Sequence, residues 1–240
     1  MPLIEFLGVP GVGKTTLARS TANQLRESGQ DVVFMPMDEA ANLGRWSDRA
    51  RGLIDIAGYA LMRPSQMFRS AGIVRQFPQP SFLTSIKALG YWLRTHALVH
   101  KHAARAGFVV LDQGFYQGLY SWALLGRRLE PAQLLAAMDG MPRPDLLVVM
   151  TAPPATIRSR LAGRCFTHRW IDDLLLEDQE WINKSTAIIA LIERAARATD
   201  CPIIRCEASN GVEQCTREIL AAVERRWAVA ARSTWAATPS

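Results

Sequence analysis

Gly8-Val9-Pro10-Gly11-Val12-Gly13-Lys14-Thr15 is the stretch from which the rest of this chain can be read. Glycines let the backbone curl until successive N–H groups point inward, a shape that holds phosphate oxygens. A lysine at the end of such a loop neutralises the outer phosphates, and the threonine hydroxyl after it suits Mg2+. Before the loop lies the apolar run Leu3-Ile4-Glu5-Phe6-Leu7; after it an amphipathic pattern runs from Lys14 to about Ser28. That strand-loop-helix context is what a phosphate-binding loop requires, because the positive end of the helix then faces the same phosphates. The residues expected to hold a nucleotide are Gly8, Pro10, Gly11, Val12, Gly13, Lys14, Thr15 and Thr16. Lys14 is also expected to be catalytic, and the expected cofactors are ATP and Mg2+.

Working outward, strand-like runs alternate with helical patterns, which predicts a parallel sheet with crossover helices. Strands are expected at Leu3 to Leu7, Asp31 to Met35, Phe108 to Leu111, Leu146 to Met150 and Pro202 to Arg205. Gly29 is placed to cap the first helix. Residues 40 to about 105 hold no convincing strand and read as helices broken near Gly52, Pro64, Pro78 and Pro80, with a long helix from Ser81 to about Ala106. Further helices are expected at about 115–126, 131–139, 154–163, 174–199 and 211–230, and a flexible tail at 233–240. The 240 residues suffice for one large α/β domain over 1–232.

The second chemical feature is Val109-Val110-Leu111-Asp112, an apolar strand ending in an acid. In an enzyme with a phosphate loop this acid serves the metal, so Asp112 joins Thr15 as an expected Mg2+ residue. A strand-end turn acid is the plainer alternative. Residues 40 to 105 carry ten Lys and Arg (Arg45, Arg49, Arg51, Arg63, Arg69, Arg75, Lys87, Arg94, Lys101, Arg105) against Asp48 and Asp55 alone. This excess fits either a solvated helical face or a rim that draws in an anionic substrate. Nucleic acid is the weakest reading of it, since no recognised nucleic-acid motif accompanies the charge.

Several observations bound the setting. Apolar residues make up 49% and charged residues 21% of the chain, ordinary for a soluble protein. No apolar run is long enough to span a bilayer, and the N-terminus lacks the basic start of a signal peptide. The four cysteines form no zinc-like spacing and read as free thiols. A cytoplasmic protein without membrane association is expected.

With these motifs in place the chain resembles the P-loop nucleoside and nucleotide kinases, particularly thymidylate and deoxynucleoside kinases. The resemblance runs from residue 3 to about 228 in the order of its elements. It rests on the loop, on Pro144-Asp145-Leu146-Leu147-Val148-Val149-Met150, and on the Arg160-Leu161-Ala162-Gly163-Arg164 spacing of a basic lid. It implies a three-layer P-loop NTPase fold with a parallel sheet of about five strands, a helical acceptor-binding insertion over about 40–106 and a lid over about 158–173. Arg160 and Arg164 would close over the phosphates and stabilise charge on the transferring group. Glu207-Ala208-Ser209-Asn210-Gly211 resembles the loop that meets the adenine base, although a helix cap explains it equally well.

Two departures bear on the acceptor. Thymidylate kinases place an arginine after the second strand, where this chain has Met35-Pro36-Met37-Asp38-Glu39. Both kinase groups follow the third-strand acid with arginine, where this chain has Asp112-Gln113-Gly114. Both departures point away from thymidylate. Asp38 or Glu39 either takes the proton of an acceptor hydroxyl, as the deoxynucleoside kinase glutamate does, or complements a helix dipole. Aromatics at Phe68, Phe77, Phe82, Tyr91, Trp92, Phe115, Tyr116, Tyr120 and Trp122 either wall the acceptor or belong to the core. The expected activity is transfer of the ATP γ-phosphate to a hydroxyl of a small molecule, nucleoside-like or a specialised metabolite, with an anionic or aromatic acceptor. The alternatives are a nucleoside monophosphate kinase, an antibiotic-inactivating O-phosphotransferase, and a regulatory P-loop NTPase without a small acceptor. A homodimer is compatible with all of them.

Overall fold

The computed structural model describes residues 1–36, 46–77, 79–102, 107–126, 131–162 and 179–227. Strands β1 (Leu3–Leu7) and β3 (Phe108–Leu111) are buried at every position, and β4 (Leu146–Thr151) at all but its last. Side chains of a strand alternate between the two faces, so burial at every position requires helices on both. The edge strands β2 (Val32–Met35) and β5 (Ile203–Glu207) are only partly buried. The five strands are parallel and run in the order β2-β3-β1-β4-β5, with the loop-bearing strand β1 in the centre.

Two helix pairs supply the cover. α1 (Lys14–Glu27) packs on α9 (Val212–Trp227). α5 (Phe115–Leu125) packs on β1 and on α8 (Gln179–Ala198). Gly29 closes α1 at φ 83°, in the left-handed region where glycine carries no Cβ penalty. The shorter helices α6 (Pro131–Asp139) and α7 (Pro154–Ala162) flank β4 in the chain.

Between β2 and β3 the described residues form α2 (Trp46–Met62), α3 (Pro64–Gln76) and α4 (Phe82–His102). α2 runs through Gly52, where the sequence predicted a break. One interior glycine costs only about 1 kcal/mol, and packing of α2 on α4 outweighs it. Pro64 does open a new helix, at its first turn, where a missing N–H costs nothing. Ser81 caps α4 by accepting the Thr84 amide at 3.1 Å.

Several aromatics of the helical stretch and of α5 form a buried cluster. Trp92 stacks on Trp122 at 4.5 Å and meets Phe115 edge-on at 5.6 Å. His96 lies 4.6 Å from Phe115 and stacks on Tyr59 at 5.8 Å. Phe77, Tyr116 and Tyr120 are buried too, whereas Phe68 and Phe82 are exposed. Core packing therefore accounts for most of the aromatics that could have walled an acceptor. Tyr91, half-buried, turns its hydroxyl to the Gly114 carbonyl at 3.2 Å. Burial of His96 pushes its imidazole down to about 4.

Among the described residues no helix is long and apolar enough to cross a membrane. Cys201, Cys206 and Cys215 are buried free thiols, and Cys165 lies outside the described residues.

Candidate functional site

The phosphate loop leaves β1 at the carboxyl edge of the sheet, between β3 and β4. A Cβ on Gly8 would lie 2.8 Å from the Met150 carbonyl, so only glycine lets β1 leave the sheet beside β4 here. Gly11 and Gly13 take φ 82° and 105°, which side-chain-bearing residues rarely adopt. The loop then passes into α1, with Leu17 N–H bonding the Gly13 carbonyl at 3.1 Å. Val12 is buried, Pro10 is half-buried and Thr16 is exposed at the loop mouth.

Lys14 bends back across the loop. Its ammonium donates to the carbonyls of Gly8 at 2.8 Å and Val9 at 3.0 Å, and the side chain is largely buried. Thr15 points the other way, donating from Oγ1 to Asp112 Oδ2 at 2.9 Å. Strand order explains the meeting. β1 and β3 are neighbours, with Glu5 opposite Leu111, so the residue after β3 faces the start of α1. Asp112 is fully buried there. A hydroxyl and a carboxylate oxygen at this spacing form an all-oxygen donor pair of the kind that Mg2+ takes.

On the other side of the loop is a cavity of about 280 Å³, lined by Gly13, Thr16, Leu17, Arg160, Ala208 and Cys215 among others. Arg160 Nη1 donates to the Val12 carbonyl at 2.9 Å, and its guanidinium rests on Gly13. The guanidinium thus forms part of the rim of this cavity. Ala208 and Gly211 belong to the stretch after β5 whose sequence resembles an adenine-contacting loop. Asp38, Glu39, Arg164, most of the lid and the 233–240 tail lie outside the described residues.

Two residues absent from the sequence reading hold the site from behind. Glu5, fully buried in β1, accepts the amides of Tyr116 at 2.7 Å and Gln117 at 2.9 Å on Oε1. Burial pushes its carboxyl up to about 7, against the lowering effect of the amides at 114–117. Gln117 in turn accepts the Gly8 amide on Oε1 at 3.1 Å. An acid inside an otherwise apolar strand was a legible signal for Glu5; nothing in the sequence marked Gln117.

Comparison with known proteins agrees with this fold. Residues 3–179 match the family described as AAA domain. A thymidylate kinase of Xanthomonas campestris pv. campestris is 34% identical over 164 residues, which is 68% of this chain and 61% of that protein. The chain thus spans less than two thirds of the length of that relative. A probable thymidylate kinase of Caldivirga maquilingensis is 22% identical over 231 residues, 92% of each chain. Among solved structures, deoxyadenosine kinase from M. mycoides with bound dATP superposes with a TM-score of 0.54 at 12% identity, covering 92% of this chain and 99% of that one. At that identity the likeness concerns the fold, a five-stranded parallel sheet with helices.

Proposed function

The chain belongs to the AAA domain family of P-loop proteins, and we propose that it is an ATP-dependent phosphotransferase acting on a nucleoside or nucleotide. The observation that carries this reading is the 2.9 Å bond between Thr15 and Asp112 beside the glycine loop. A loop that only turned a corner would have no need to bring a buried carboxylate to its threonine. The kinase names of the relatives support phosphoryl transfer, and the deoxyadenosine kinase fold supports an acceptor of nucleoside type.

Phosphoryl transfer asks for positioned cations and dipoles more than for covalent chemistry. The amides of residues 8 to 15 bind the phosphates, and Lys14 moves from the loop carbonyls to neutralise them. Thr15 and Asp112 are the residues to hold Mg2+, which would neutralise charge on the β- and γ-phosphates when bound. Arg160 closes on the nucleotide, with Arg164 beside it. The acceptor enters on the side of α2 to α4, and Asp38 or Glu39 orients its attacking oxygen. A cytoplasmic setting, with ATP and reduced thiols, suits this chemistry.

The test is turnover of Mg-ATP alone against turnover with a panel of nucleosides, nucleoside monophosphates and hydroxylated antibiotics. ADP release that depends on a nucleoside or nucleotide is the expected result. Hydrolysis indifferent to every acceptor would overturn the reading. In the same assay Asp38→Asn or Glu39→Gln is expected to lower turnover by roughly 10²-fold or more with little change in ATP affinity. If neither does, the acceptor is oriented by another group.

A further inference from the structure

Glu5 is costly to keep where it is. It sits at the centre of the central strand, fully buried, between apolar neighbours, and a buried carboxyl costs free energy unless its hydrogen bonds are met. Oε1 is met twice, by Tyr116 and Gln117, while Oε2 has no hydrogen-bond partner. A leucine would fill the same space at lower cost. It would also leave the first-turn amides of α5 without their acceptor.

The surroundings are shaped to admit the carboxylate. A Cβ at Gly114 would lie 2.5 Å from the Glu5 carboxyl carbon and 2.8 Å from Leu111 Cδ1, so any side chain before α5 would have to displace the Glu5 carboxyl and the Leu111 tip. The turn from Asp112 to Gly114 and the first turn of α5 therefore rest directly on Glu5. From that turn Gln117, almost fully buried, reaches back to the Gly8 amide at 3.1 Å. Glu5 thus touches the wall that carries Asp112, and through Gln117 it reaches the first residue of the phosphate loop.

We propose that Glu5 is a positioning residue: its carboxylate fixes the first turn of α5, and Gln117 on that turn fixes the start of the phosphate loop. Glu5 touches no reacting atom. It acts on the loop only through Gln117. Its consequence for turnover rests on the phosphotransferase reading, but its effect on the loop does not, and the two are separable by experiment.

The loop effect is read without nucleotide, from hydrogen exchange of the Gly8 amide followed by NMR, with the Ile204 amide of β5 as the internal reference. Gln117→Leu removes the last link and leaves Glu5 and its two bonds in place. Glu5→Leu removes the first link, and Glu5→Gln keeps an acceptor at Oε1. Relative to Ile204, Gly8 exchange is expected to quicken at least tenfold in Gln117→Leu and in Glu5→Leu, roughly the loss of one buried hydrogen bond. The double variant is expected to gain nothing further, because both changes break one chain of contacts. Glu5→Gln is expected to restore most of the protection. If Glu5→Leu does not fold, Glu5→Gln against Gln117→Leu carries the comparison. There, protection as poor in Glu5→Gln as in Gln117→Leu would overturn the carboxamide rescue that the proposal requires. Gly8 protection indifferent to Glu5, or losses that add in the double variant, would also overturn it. Where the wild type turns over, KM for ATP should rise in the variants more than kcat falls. A wild type that transfers no phosphoryl group would sink the phosphotransferase reading and leave the exchange result standing.

Discussion

At the residue scale the last two residues of the phosphate loop divide the work. Lys14 holds two loop carbonyls and Thr15 reaches Asp112. Lys14→Ala should therefore lower turnover by roughly 10²-fold or more, with an unchanged far-ultraviolet spectrum, since the ammonium bonds loop carbonyls that lie outside the helices and strands. Wild-type turnover in that variant would refute a phosphate role for the loop. Two buried titratable groups set the pH response in opposite directions. His96 is held neutral down to about 4, so the unfolded chain protonates first, and stability is lost as pH falls from 6.5 toward 4, by on the order of 3 kcal/mol. Glu5 is raised to about 7, so the folded chain protonates first, and stability is gained between 7 and 4.5 by a similar amount. The two nearly cancel in the wild type. The urea midpoint of His96→Phe should rise from pH 7 to pH 5, and that of Glu5→Gln should fall. Parallel pH profiles in the two variants would contradict these assignments.

At the scale of elements, α7 brings Arg160 to the side of the loop that faces the stretch after β5. The Arg160 guanidinium bonds the Val12 carbonyl and lines the 280 Å³ cavity shared with the stretch after β5. The lid spacing in the sequence implies that it closes over the transferring phosphate. From its position, Arg160→Ala should weaken ATP binding by roughly tenfold and change kcat much less. A fall in kcat at constant KM would instead favour action on the γ-phosphate. The helices between β2 and β3 were legible as helices because no alternating pattern interrupts them. The continuity of α2 through Gly52 was not, because a glycine's cost is local while the packing that offsets it lies on α4.

At the scale of the molecule, the Trp92–Trp122–Phe115–His96 cluster ties the helical stretch to α5, and α5 packs on β1. Trp92→Ala should cost about 3–5 kcal/mol and should lower the stability of helices and sheet together, as a single urea transition seen by both fluorescence and circular dichroism. Two separated transitions would show that the helical stretch unfolds by itself. The five parallel strands, the glycine loop and the acid after β3 could be read from the sequence because each depends on local pattern. These are continuous apolar runs buried on both faces, glycines at positive φ, and a strand-end carboxylate. The strand order was beyond it, and so was every meeting across the sheet: Thr15 with Asp112, Arg160 with Val12, Glu5 with the first turn of α5 and Gln117 with Gly8. Those pairs are separated by about a hundred residues or more in the chain. Only the closing of the sheet around β1 brings them within hydrogen-bond reach.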